Sequence, residues 1–175
     1  MIRRTAGLAA AAILLGALAT AHAQAPAAAV PEKMPFDIPY GMPIGVAAAQ
    51  QAIAASMAEA HKHNWKMAIA VVGPTGDLIA EATMDGTQYA SIDIAQGKAR
   101  TAALFRRPTK AFADAVNNNN AALLTLLLEN HAMASEGGFP IVIDGKLIGA
   151  IGASGGIAPQ DGVTAKAGLD AVSGK

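Results

Sequence analysis

The Asp144-Gly145 pair, set between the runs Phe139–Ile143 and Lys146–Ala153, limits the fold of this chain more than any other feature. Asp-Gly readily takes two consecutive positive-φ positions, the backbone of a tight antiparallel hairpin, and both flanking runs carry Ile or Val. A second hairpin is predicted upstream, where Lys66–Gly73 and Leu78–Met84 flank the turn-forming Pro74-Thr75-Gly76-Asp77. Helical spacing appears around them. Ile44–His63 places Ile53, Met57 and Ala60 on one face and stops at Asn64. Ser91 is expected to cap a helix running to about Phe105, with Asp93 in its first turn, where the helix dipole favours an acid. Pro108 interrupts, Thr109 is expected to cap a shorter helix through Val116, and the run Asn117–Asn120 predicts a loop. Ala121–Ala134 reads as helix, although its leucine cluster also fits a buried strand. Pro159–Val172 predicts the last helix. Hairpins and helices in this order, without βαβ alternation, predict an α+β fold with a central antiparallel sheet flanked by helices.

The ends of the chain bear on its compartment. Arg3 and Arg4, the apolar stretch Leu8–Ala19 and the small-x-small Ala21-His22-Ala23 read as a secretory signal peptide over residues 1–23, cut before Gln24. A periplasmic address is expected, with full secretion as the second choice. Residues 24–43 hold five prolines and read as an extended arm that packs near Phe36 and Tyr40. Residues 44–175 then form a single domain. The chain has no cysteine, which excludes disulfides, thiolate metal sites and a lipidated N-terminal cysteine. Losing Arg3 and Arg4 from thirteen basic residues leaves eleven against thirteen acids, net −2 with histidines neutral. That balance gives no footprint for nucleic acid or for an anionic membrane surface. Alanine and glycine dominate a core with one Trp, two Tyr and four Phe, so each buried side chain contributes little area, and a homo-oligomer is expected.

Few residues offer chemistry. Three histidines lie beyond the signal peptide, and His61 and His63 are the metal-ligating candidates. On a helix they would point about 200° apart and could not share one metal, whereas an extended helix end would allow it. The plainer reading is two polar residues at a helix C-terminus. Asp85-Gly86 follows the second strand and is either an ordinary turn or part of a pocket wall. Lys98 and Thr101 share a helix face with Ile94 and Phe105, so Lys98 either snorkels to solvent, the default, or meets an anion. Arg100 and Arg107 are expected on another face with Asp93, solvated or facing a second subunit. The loop from Gly149 to Gly155 superficially resembles a dinucleotide fingerprint, but it follows a hairpin and no helix starts on its glycines, which rules that reading out. Ser154 lacks a nucleophile elbow.

Taken in order, Ala68-Ile-Ala-Val-Val-Gly73, Met84-Asp85-Gly86, Ser91-Ile-Asp-Ile-Ala95, Lys98-Ala-Arg-Thr-Ala102, Arg107-Pro-Thr109, Gly137-Gly138-Phe-Pro140, Asp144-Gly145-Lys and Ile148-Gly-Ala-Ile-Gly-Ala-Ser-Gly155 resemble the GlcG/HbpS-like, or haem-degrading domain, family across about residues 45–172. The resemblance implies a profilin-like fold and assembly into oligomers. It also implies a ligand-pocket set of Asp85, Gly86, Lys98, Thr101, Gly138, Pro140 and Ser154. Gly162 stands where the family often has a second acid after Asp161, which weakens any metal role for an acidic pair. An exported haem-binding protein, for storage, delivery, redox sensing or haem degradation, is the leading expectation. An enzyme or carrier for a small organic acid of the glycolate type, with Lys98 as anion partner, and an oligomeric accessory subunit without ligand are the alternatives.

Overall fold

A computed structural model describes residues 30–174; the expected signal peptide lies outside them. Nine elements follow one another from Val46 to Ser173. They are α1 (Val46–Lys62), β1 (Ala68–Val72), β2 (Leu78–Thr83), α2 (Ala90–Phe105), α3 (Lys110–Asn117), α4 (Ala121–Glu129), β3 (Gly138–Ile143), β4 (Lys146–Ser154) and α5 (Ala158–Ser173). The strands form one sheet in the order β2-β1-β4-β3, antiparallel throughout. This is the expected α+β architecture. Among the described residues no helix is long and apolar enough to cross a membrane.

Both hairpins form where the turn chemistry places them. Asp144 and Gly145 take φ of 49° and 72°, the two positive-φ positions of a tight turn. The central strand β1 is buried along its whole length, which explains its unbroken apolar sequence. Its two faces nevertheless differ. Ile69 and Val71, with Ile151 and Ala153 of β4, join the cluster under α1 and α5. Ala68, Ala70, Val72 and Ala150 instead meet Ala95, Ala99, Ala102 and Ala103 of α2. Large side chains therefore face the helix pair and small ones face the single helix, giving three layers.

Small residues set the spacing of the α2 layer. A methyl group at Gly152 would collide with the Ala95 carbonyl and lie 2.6 Å from the Ala99 nitrogen, so only glycine lets α2 sit this close to β4. The α1–α5 contact is just as tight at Gly168, against Ser56 and the Ala52 carbonyl.

The proline-rich arm takes up an edge left open by the sheet. β1 ends at Val72, opposite Ala150. Beyond that point the Leu147 amide donates to the Pro39 carbonyl at 2.8 Å and the Gly41 amide donates to Leu147 at 2.7 Å, in a parallel bridge. Tyr40 donates to the Leu104 carbonyl, and the Arg107 guanidinium stacks over Phe36 at 3.8 Å. Arg107 thus lies past the end of α2, wedged against Phe36 and Phe112, and not on a stripe with Arg100 and Asp93.

Two expected caps differ from the structure. Ser91 lies inside the first turn of α2, fully buried, with its hydroxyl 3.5 Å from that of Ser154. Thr109 does precede α3, but its hydroxyl accepts from the Gly138 amide at 2.9 Å. In both cases a tertiary partner takes the hydroxyl that local rules assign to the helix end. The segment from Ala121 is helix, as read, but it ends at Glu129; Asn120 caps it by accepting from the Leu123 amide at 3.0 Å.

The Gly152→Ala substitution is expected to destabilise the fold by about 1–3 kcal/mol, the cost of overpacking a core. Urea unfolding should show a lower midpoint with an unchanged slope. An unchanged midpoint would mean that α2 can retreat from the sheet without cost.

Candidate functional site

The most unusual side chain in the molecule is Lys98. It is 1% exposed, and its ammonium donates to Asp161 Oδ2 at 2.6 Å, with Asp161 itself 3% exposed. Snorkelling is therefore overturned: α2 sits too close to the sheet for a side chain on this face to reach solvent. The anion that Lys98 meets belongs to the protein. Gly137 and Gly138 make the room. A Cβ on Gly137 would lie 3.1 Å from the Lys98 ammonium and 2.8 Å from Asp161 Cβ, and one on Gly138 would meet the Lys98 carbonyl.

Asp161 faces two ways. Its Oδ1 accepts from the Gly156 amide at 3.0 Å, with the Gly155 amide close by. Burial pushes the Asp161 carboxyl above its ordinary value, while the Lys98 ammonium and the two glycine amides pull it back without cancelling the shift. Buried pairs of this kind cost desolvation that their attraction does little more than offset, so their stabilising contribution is small.

The glycines held by Asp161 form one wall of a cleft of about 300 Å³, lined by Trp65, Lys66, Gly86, Gln88, Gly155, Gly156 and Gln160. Gly155 lies directly on the Lys66 carbonyl, with no space for a Cβ. Gln160 accepts from the Ile157 amide at 3.0 Å and closes the same corner. Lys66 is exposed and enters no ion pair among the described residues. Tyr89, 92% exposed, follows Gln88 in sequence, and Ile157, 67% exposed, follows Gly156. The hydroxyl of Thr87, between two lining residues, is buried without a partner. His63 stacks on Trp65 with centroids 4.3 Å apart and approaches Glu59 at 3.3 Å.

The seven residues carried over by resemblance do not surround one cavity. Gly86 lines the cleft, and the exposed Asp85 precedes it in the same turn. Lys98 and Gly138 touch each other in the interior. Thr101 donates to the Gly97 carbonyl and accepts from the Met133 amide at 2.8 Å, fastening the segment after α4. Ser154 is buried against Ser91. Pro140 lies in a different groove with Val142, Lys166 and Leu169. His61 and His63 are exposed at the C-terminal end of α1. Among the described residues no group of three or more His, Asp or Glu side chains is placed to hold a metal ion.

The sequence marks Gly155 and Gly156 as a glycine loop whose backbone amides could hold an anionic group, but it does not mark Trp65, Lys66, Gln88 or Gln160 as a site. Their one sequence signal was the chain's only tryptophan, next to a lysine and just after the helix-ending Asn64, which takes φ of 55°.

A family model described as haem degrading protein HbpS-like matches residues 44–170. The chain belongs to this HbpS-like family. It is 45% identical over 106 residues to protein GlcG of Escherichia coli K12, covering 61% of this chain and 77% of GlcG. The structure of Klebsiella pneumoniae protein ORFY superposes with a TM-score of 0.73 at 29% identity, over 85% of this chain and 99% of ORFY. A PduOC:heme complex superposes with a TM-score of 0.69 at 26% identity, over 74% of this chain and 95% of that one. HbpS itself gives 0.67 at 26% identity, over 78% of this chain and 94% of that one.

The sign of the Asp161 shift gives a pH prediction. An acid raised in the folded state binds its proton more readily there than in the unfolded chain. Its stabilising contribution is full below the ordinary value of 3.8 and is lost as pH rises through the folded value. The difference in unfolding free energy between the native protein and Asp161→Asn should therefore move in favour of the variant from about pH 3 to pH 7. Urea unfolding at both pH values measures it, and a movement in the opposite direction refutes the assignment.

Proposed function

We propose that this member of the HbpS-like family is an exported haem-binding protein, periplasmic after loss of residues 1–23, and that haem enters the cleft at Trp65 and Lys66. One observation carries the reading: an unpaired exposed cation and a histidine-stacked tryptophan meet a glycine wall in a chain whose fold matches a solved haem complex. Chemically the parts fit. The Lys66 ammonium suits a propionate carboxylate, and the exposed Tyr89 and Ile157, next in sequence to Gln88 and Gly156, suit the apolar edge of a macrocycle. His63, stacked on the cleft's Trp65, offers an imidazole ligand, with His61 as the second candidate. When bound, haem supplies an iron centre open to axial ligation and redox change.

At about 300 Å³ the cleft lies at the lower end of ligand sites, which span roughly 300–1,000 Å³. It would hold one edge of the macrocycle and leave the rest to the exposed rim or to a second copy of the chain. Homo-oligomerisation accords with the exposed Leu124, Leu126 and Leu128 of α4. The same size favours a second reading, a small organic acid held by Lys66. In that reading the anion partner moves from Lys98 to Lys66, because Lys98 is already neutralised by Asp161.

Hemin titrated into the mature protein should give a shifted Soret band saturating at one haem per subunit. The His61→Ala/His63→Ala variant should move the band, and Lys66→Ala should weaken binding by up to about fivefold, the size of an exposed ion pair. A spectrum identical to free hemin throughout would sink the haem reading. In that event a thermal-shift screen of glycolate-like acids tests the alternative, since a ligand at 100 times its Kd adds about 2.7 kcal/mol.

A further inference from the structure

The cleft has one wall that its own contacts do not explain. Gly155 and Gly156 carry no side chain, and they join the end of β4 to α5 in a conformation that includes φ of 158° at Gly155. Such a segment is flexible in an unfolded chain, and it needs an external restraint to stand as a wall. That restraint is Asp161, which takes the Gly156 amide on one oxygen and the Lys98 ammonium on the other. Lys98 in turn projects from the helix layer that packs closest to the sheet. On the far side Gly155 abuts the backbone of Lys66, the residue that offers the cleft its cation.

We propose that the buried Lys98–Asp161 pair is the positioning element of the cleft: through the Gly156 amide it sets the distance between the glycine wall and Trp65-Lys66, and so the cleft's affinity for its ligand. Neither side chain lines the cleft. The proposal rests on reading the cleft as the ligand site, but its first test needs no ligand.

The pair's position explains features that a purely stabilising role leaves idle. Two apolar residues of similar size would fill the same space at similar or lower free energy. They would not hold a backbone amide. The pair also accounts for the two consecutive glycines at 137–138, which leave room for a lysine that most folds would send to solvent. Its carboxylate faces the loop, not the sheet.

The chain's single tryptophan lies in the cleft, so its fluorescence reads the wall directly. In Lys98→Met/Asp161→Leu the buried charges are replaced by apolar groups and the amide acceptor is lost. This variant should unfold cooperatively, yet acrylamide should quench Trp65 about twofold more strongly, and hemin should bind about tenfold more weakly, a change of about 1.4 kcal/mol. Lys98→Met/Asp161→Asn keeps a side-chain carbonyl for the Gly156 amide and should recover most of both losses. A folded Leu variant with native quenching overturns the proposal, whether or not the native protein binds hemin. If the native protein fails to bind hemin while the quenching difference stands, only the haem reading is lost. Should the Leu variant not fold, hydrogen exchange in the native protein decides: the Gly156 amide should exchange at least about 100-fold more slowly than a free amide, and exchange at the free rate overturns the proposal.

Discussion

The close approach of α2 to the sheet is the constraint from which most of this structure follows. Ala68, Ala70, Ala150 and Gly152 offer almost no side chain above the strands, and Ala95, Ala99, Ala102 and Ala103 offer almost none below the helix. Two such surfaces pack nearly backbone to backbone. Each contact buries less area than a Leu–Ile pair would, so the layer depends on fit more than on area. It also leaves no channel along which a long side chain on that face can reach water. Lys98, on the same helix, is held inside by this geometry. A carboxylate at the start of α5 becomes necessary, because a buried unpaired ammonium is far costlier than a paired one.

The placement of the strands and their turns is where sequence and structure agree best. Apart from Val72 and Ala153, Ala-Ile-Ala-Val-Val in β1 and Ala150-Ile151-Gly152-Ala153 in β4 place their larger and smaller members on opposite faces, as a pleated strand does. The turns were legible for the same local reason, since Asp144-Gly145 needs only its own backbone. Hydroxyls and charges were less so. Ser91 and Thr109 have the residue types of caps, but their partners, Ser154 and Gly138, are 63 and 29 positions away. Lys98 and Asp161 are likewise 63 positions apart, and helix-face reasoning sees only four or seven positions ahead. The cleft was illegible because its walls come from three loops and the first turn of α5, and no periodicity marks a loop.

Family resemblance and physical reading emphasise different parts of the molecule. The motifs that carry the resemblance mainly let layers meet: glycines under α2, the Gly137-Gly138 space for Lys98, and Thr109 tying α3 to β3. A motif repeated for packing looks, in a sequence, the same as one repeated for binding. The residues that offer recognition chemistry here, Trp65, Lys66 and Gln88, stand outside those motifs. Members of one family can therefore share a frame and differ in what they hold.

The connection between frame and cleft is short enough to trace atom by atom. From α2 it runs through the Lys98 ammonium to Asp161, from Asp161 to the Gly156 amide, and from Gly155 onto the Lys66 carbonyl. Every step but the last is a polar contact in a buried or half-buried setting, where hydrogen bonds are directional and a missing partner is costly. The last step is steric, because nothing larger than glycine fits at Gly155. A wall built from side chains would be held by its own packing. A wall built from bare backbone takes its position from whatever binds its amides, and in this protein that role falls to one carboxylate facing both ways.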